Sequence, residues 1–171
     1  MKVPQVLHSR RRLLFGLAST VAVSGCGFKL RRAPELKFRT LLLDGFKPQS
    51  PLAQELRRSL AASTTTQVVD SAARAEVVLQ ALEDSRSKGV IVSTTAGQVR
   101  EVQLRSKLRF SLRTPAGKEL IPPSEIVLTR DMTYNERDAL AKEQEEELLY
   151  RAMQSDIASQ VLRRLAAVQA L

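Results

Sequence analysis

Between Glu101 and Arg113 the chain alternates. Val102, Leu104, Leu108, Phe110 and Leu112 share one parity, while Glu101, Gln103, Arg105, Lys107, Arg109 and Arg113 share the other. A period of two marks a strand with one face on a core and the other in solvent. Here the solvent face is cationic. One-sided alternation of this kind belongs to an antiparallel sheet whose helices cover a single face.

Further strands follow from the same reasoning. Ala75 to Leu82 and Gly89 to Ser93 carry sheet-like patterns around a polar interruption at Asp84 to Lys88, which predicts one long, bulged strand. Ala96-Gly97-Gln98 turns it into the alternating strand, and Thr114-Pro115-Ala116-Gly117 turns the chain again. Ile126, Leu128, Met132 and Tyr134 mark the next strand, which Pro122 and Pro123 assign to a sheet edge. Upstream, Lys37 to Asp44 with Leu41, Leu42 and Leu43 predicts a short strand buried on both faces and stopped by Gly45. Gln67 to Asp70 reads as a brief extended piece.

Two helices complete the pattern. Ser50 is an N-cap followed by Pro51 at the first helical position, where a missing N–H costs nothing. Leu52, Ala53, Leu56 and Leu60 then share one face. The second helix starts after the Thr133-Tyr134-Asn135-Glu136 capping box or at Asn135. Its stripe is Leu149, Met153, Ile157, Val161 and Leu165, with Ala152 in the adjacent row. Glu143, Glu145, Glu146 and Glu147 lie towards its start and Arg163 and Arg164 at its end, which complements the helix dipole. The fold class expected is therefore α+β. It is a two-layer sandwich in which two helices pack on one face of a four-stranded mixed sheet, the first two long-range strands lying parallel across a right-handed crossover.

Ahead of these elements lies a different kind of segment. Arg10, Arg11 and Arg12 precede the apolar run Leu13 to Val23, which leads into Val23-Ser24-Gly25-Cys26. This is the layout of a lipoprotein export signal ending in a lipobox. Ser9-Arg10-Arg11 followed by Leu13 and Leu14 also resembles a twin-arginine signal. The run is too short to cross a bilayer, which takes about 20 residues. Cleavage before Cys26 would leave that cysteine as an acylated N-terminus. Each buried methylene contributes about 0.8 kcal/mol, so two or three chains anchor a protein stably. Gly27, in place of the Asp that retains lipoproteins at the inner membrane, implies onward sorting to the outer one. The expected organisation is a signal peptide over 1–25, an acylated tether over 26–36 and a single domain over 37–171.

Composition narrows the chemistry. The chain carries 27 Lys and Arg against 18 Asp and Glu, a net charge of +9. The signal contributes Lys2, Arg10, Arg11 and Arg12 and no acid, so the remainder stays basic. Nucleic acid is an unsuitable partner for an exported chain with 4% aromatic residues, which leaves anionic glycolipid as the leading ligand. The only cysteine is taken by the anchor and the only histidine, His8, leaves with the signal. Ser-His-Asp triads, Cys-His pairs and most zinc sites are thereby excluded, so neither catalysis nor a metal or other cofactor is expected.

Three stretches together resemble the LPS-assembly lipoprotein family LptE, formerly rare lipoprotein B. They are Cys26-Gly27-Phe28-Lys29-Leu30-Arg31, Ala139-Leu140-Ala141-Lys142-Glu143, and Asp156 to Leu165. The resemblance implies a lipid-tethered, non-enzymatic protein on the periplasmic side of the outer membrane. It would plug the LptD β-barrel in a one-to-one complex and bind lipopolysaccharide on its way to the outer leaflet. It also implies that basic residues of the central hairpin and of the last helix's start contact lipopolysaccharide. The second position maps onto Lys142; near the hairpin turn stands Arg100.

The residues themselves leave alternatives open. Arg105, Lys107 and Arg109 are candidate lipopolysaccharide contacts, since phosphates and carboxylates of the lipid suit Arg and Lys on a rigid strand. They equally suit a solvated strand face that guards against edge pairing. Lys142 could instead form a helical pair with Glu146. A lipoprotein activator of a cell-wall enzyme, or an accessory of another lipid transporter, shares the same anchor and domain.

Overall fold

The structure, a computed structural model, describes residues 35–62 and 66–168. The expected signal, Cys26 and most of the tether lie outside the described residues. The elements are β1 (Thr40–Asp44), α1 (Pro51–Ala61), β2 (Gln67–Val69), β3 (Val77–Ser93), β4 (Val99–Arg113), β5 (Glu119–Thr133) and α2 (Ala139–Ala166). Short 3-10 turns at Ala72–Arg74 and Glu136–Asp138 precede β3 and α2.

The sheet has five strands rather than the expected four, in the order β2-β1-β3-β4-β5. The extra strand is the brief piece at Gln67–Val69, which pairs parallel to β1 at the sheet edge. Three residues are too few to show a period, which is why it reads only as extended. β1 also runs parallel to β3, while β3, β4 and β5 are antiparallel. The α+β class and the mixed sheet hold. β1 is not buried on both faces, however: Leu41 and Leu43 are buried and Leu42 only half so, because the helices cover one side.

Ser50 caps α1 as expected. Its Oγ accepts from the Ala53 amide at 3.1 Å and donates to Asp84 at 2.6 Å, tying the helix start to β3. Leu52, Ala53, Leu56 and Leu60 are buried. Before the second helix Asn135, not Thr133, caps the 3-10 turn that leads into it: its Oδ1 accepts from the Arg137 amide at 3.1 Å, while Asp138 at the helix's own N-cap forms no side-chain cap bond. The buried set of α2 is Tyr150, Met153, Gln154, Ile157, Ala158, Val161, Leu162 and Leu165. Ala152 is exposed and Leu149 half-buried, so the stripe's second row runs through Gln154, Ala158 and Leu162 instead.

One local feature reorganises the hairpin. The register of β3 on β4 shifts between Ala81 and Glu83. Before the shift Leu79 and Ala81 stand opposite Leu112 and Phe110; after it Asp84, Arg86 and Lys88 stand opposite Leu108, Ser106 and Leu104. A one-residue slip moves every following side chain to the other face. Beyond the bulge the odd positions Glu83, Ser85 and Ser87 therefore face away, and the charged even positions Asp84, Arg86 and Lys88 come onto the helix side. Gly45 presses on this bulge. Its φ of +74° is open to glycine, and a Cβ there would meet the Ala81 carbonyl oxygen at 2.3 Å.

Two apolar clusters result. The larger, at the proximal end, joins both helices to β1, β3 and β4 through residues such as Leu56, Leu79, Phe110, Ile157 and Val161. The smaller, towards the β3–β4 turn at the distal end, consists of Val102, Leu104, Met132, Tyr150 and Met153.

Candidate functional site

The cations singled out in the sequence fall into two groups. Arg105, Lys107 and Arg109 occupy the face of β4 opposite the helices, since the intervening Leu104, Ser106, Leu108 and Phe110 are buried. Arg100 and Lys142 lie at the distal end, one at the start of β4 and the other in the first turns of α2.

On the open face, Glu83 of β3 and Glu125 of β5 stand in register with Arg109. Lys107 is nonetheless the residue they hold, its Nζ lying 2.9 Å from Glu83 and 3.1 Å from Glu125. These two carboxylates raise the Lys107 pKa above the ordinary lysine value. Lys107, helped by the Ser85 hydroxyl, holds the Glu83 carboxyl below its usual range. Lys107 is thus compensated. Arg105 and Arg109 are exposed and, among the described residues, form no ion pair.

At the distal end, Lys142 is tied by its Nζ to Glu145 at 2.8 Å and to the Thr133 hydroxyl of β5 at 3.1 Å. The pairing with Glu146 that the spacing allowed does not form, because Glu146 accepts from Lys88 of β3 at 2.6 Å. That contact raises the Lys88 pKa above the ordinary value. Beside it, an Arg86 Nη1 lies 3.8 Å from Glu147, and the guanidinium sits 4.9 Å from the centre of the Tyr150 ring. The Tyr150 hydroxyl donates to the Ser87 carbonyl at 2.9 Å, and burial pushes its pKa up. Arg86 Nη2 is buried without an acceptor among the described residues. Leaving a buried donor unpaired costs about 1–3 kcal/mol.

Arg100 lines a cleft of about 300 Å³ together with Gln98, Val99, Asn135, Glu136 and Arg137. The Tyr134 amide donates to the Arg100 carbonyl at 2.7 Å, which fixes the start of β4 against the turn that opens α2. Arg100 reaches only the Gln98 amide oxygen, at 3.2 Å, and Arg137 forms no ion pair among the described residues. Two exposed guanidinium groups and one carboxylate thus line one opening, a surface able to hold an anion by charge-assisted hydrogen bonds. Exposed Val90, Ile91 and Val92 lie across the hairpin from it, with Val90 and Val92 in register with Val102 and Glu101.

Sequence reasoning missed Arg86, Lys88 and Arg137. The first two lie in what reads as a polar interruption, and their even spacing with Asp84 is the signal that they share a face. Arg137 has no signal in periodicity, because only the turn at Asn135 brings it to Arg100. Among the described residues no cluster of His, Cys, Asp or Glu is arranged to hold a metal, and no helix is long and apolar enough to cross a membrane.

Comparison with known proteins gives this surface a context. A family model for LptE, described as lipopolysaccharide-assembly, matches residues 38–165. The chain is 32% identical over 166 residues to the LPS-assembly lipoprotein LptE of Yersinia pestis, covering 95% of this chain and 78% of the relative. The Yersinia pseudotuberculosis protein of the same name matches to the same extent. Among solved structures, lipoprotein B from Nitrosomonas europaea superposes with a TM-score of 0.70 at 32% identity, covering 82% of this chain and 91% of that one. Rare lipoprotein B from Shewanella oneidensis gives 0.63 at 27% identity, covering 75% and 95%. With the element order, the sheet and the last helix all inside the matched region, this chain belongs to the LptE family of lipopolysaccharide-assembly lipoproteins.

Proposed function

We propose that this protein is held by acyl chains on Cys26 at the periplasmic side of the outer membrane. There it plugs the LptD β-barrel one-to-one and binds lipopolysaccharide in transit to the outer leaflet. Its role is to bind, occlude and hand over. Family membership supports the assembly role; the observation that supports lipid binding is the placement of exposed cations. Arg100 and Arg137 meet at the distal cleft without an ion pair among the described residues, and Lys142 stands on the adjoining helix turns. Arg105 and Arg109 offer a second, flatter cationic surface on the open face of the sheet, where Lys107 is already compensated. Phosphates and core carboxylates of lipopolysaccharide suit a rigid guanidinium cluster, since Arg binds such groups bidentately.

Detergent extraction of envelopes followed by affinity purification of the full chain tests the partner. A stoichiometric complex with the LptD barrel supports the reading, and recovery of the lipoprotein without the barrel overturns it. Depleting the protein and assaying lipopolysaccharide at the cell exterior tests the role in delivery. Surface lipopolysaccharide falls if the reading is right and is unchanged if it is wrong.

A further inference from the structure

The first turns of α2 are attached to the sheet differently from the rest of that helix. From Ala139 to Leu148 no residue is buried, and Leu140 and Leu148 are largely exposed. What holds this stretch is a row of polar contacts: Lys142 to Thr133, Lys88 to Glu146, and Arg86 to Glu147. Apolar grip begins at Leu149, Tyr150 and Met153. A helix segment held by partly exposed ion pairs opens at far lower cost than one held by packing, and salt weakens its attachment.

The contacts also share one chemistry. The two that are ion pairs join Arg86 and Lys88 of β3 to Glu147 and Glu146 of α2, while Lys142 reaches the Thr133 hydroxyl and pairs with Glu145 only within its own helix. The Arg86 Nη2 donor is left without an acceptor among the described residues, although Nη1 lies near Glu147. A polyanion arriving at the distal end can therefore replace the glutamates one for one, and offers Arg86 the acceptor it lacks.

We propose that Ala139–Leu148 is an ion-pair latch, which an anionic ligand opens by taking Lys88 and Arg86 from Glu146 and Glu147 and Lys142 from Thr133. The inference rests on the proposed lipopolysaccharide binding for the identity of that ligand. Opening frees Lys142 from the Thr133 hydroxyl.

Amide hydrogen exchange on the full chain in detergent micelles tests this. Residues 143–148 should exchange at least about tenfold faster when salt is raised from about 0.05 M to about 0.5 M, with 153–165 unchanged. Lys88→Ala should do the same at low salt, and the charge swap Lys88→Glu with Glu146→Lys should restore protection. Lipopolysaccharide at low salt should reproduce the effect of Lys88→Ala. Equal protection of 143–148 at both salt concentrations and in Lys88→Ala, or loss of protection in both halves together, overturns the latch. Lipopolysaccharide that binds without changing 143–148 overturns the exchange while leaving the binding itself intact. If lipopolysaccharide does not bind at all, the proposed function falls, and the salt and Lys88 measurements still decide whether the latch exists.

Discussion

At the proximal end of the sheet, α2 meets the core through Ile157, Ala158, Val161 and Leu165, each fully buried, with α1 packed alongside. At the distal end the same helix meets the same sheet through the smaller cluster at Tyr150 and Met153 and, towards its start, only through polar contacts: Lys88 with Glu146, Arg86 with Glu147 and Lys142 with Thr133. The bulge at Ala81 to Glu83 is the point of division, because it replaces Leu79 and Ala81 on the helix side with Asp84, Arg86 and Lys88. Apolar burial contributes roughly 1.5–3 kcal/mol for each large side chain, whereas an exposed ion pair contributes about 0–1 kcal/mol. The proximal end, with the larger cluster, therefore carries most of the stability, and the start of α2 at the other end is free to carry charge.

Mutations should separate the two ends by size of effect. Phe110→Ala, in the middle of the proximal cluster, should destabilise the fold by about 3–5 kcal/mol in chemical denaturation. Gly45→Ala should cost about 1–3 kcal/mol, since the new methyl strikes the Ala81 carbonyl and the backbone is left-handed. A loss of less than about 0.5 kcal/mol at Gly45 would show that the bulge is not pinned by this loop. Ser50→Ala removes a helix cap and the bond to Asp84 and should cost about 1 kcal/mol. At the distal end Lys142→Ala should change global stability by less than about 0.5 kcal/mol, even though it breaks two hydrogen bonds. If Lys142→Ala cost as much as Phe110→Ala, the division between the ends would be wrong.

Titration offers a gentler contrast. Lys88 has a folded pKa above its ordinary value, so its contribution is present below that value and is lost as pH rises through the folded pKa. Glu83 has a depressed pKa, so its contribution is present above the ordinary carboxylate range and is lost as pH falls through the folded value. Between these limits both pairs persist. Hydrogen exchange of residues 143–148 should therefore be flat near neutrality, after correction for the intrinsic rate, and accelerate on the alkaline side where Lys88 deprotonates. Acceleration already near neutrality would point to a different holding group.

The proximal end is legible in the sequence because its residues obey a period. The alternation of Leu108 to Leu112, the α1 face at Leu52, Ala53, Leu56 and Leu60, and the Ser50 cap all appear in the structure where the pattern places them. β2 is less legible because three residues carry no period, and the second row of α2 is misread onto Ala152 because alanine fits either face. The distal end is legible only in part. Lys142 and Arg100 stand out through resemblance, but the pairing of Glu146 with Lys88 depends on a bulge that shifts parity mid-strand. Arg137 depends on a turn. Both arise from tertiary geometry, which a pattern of apolar positions does not encode.

Binding of lipopolysaccharide by two full-chain variants tests the central division most directly. Arg100→Ala with Arg137→Ala and Lys142→Ala should weaken binding by about tenfold or more at unchanged fold stability, while Arg105→Ala with Arg109→Ala should weaken it by less than about threefold. Equal affinity of the distal variant and the unaltered protein, or a larger loss from the open-face variant, would contradict the assignment of the charged end as the binding end.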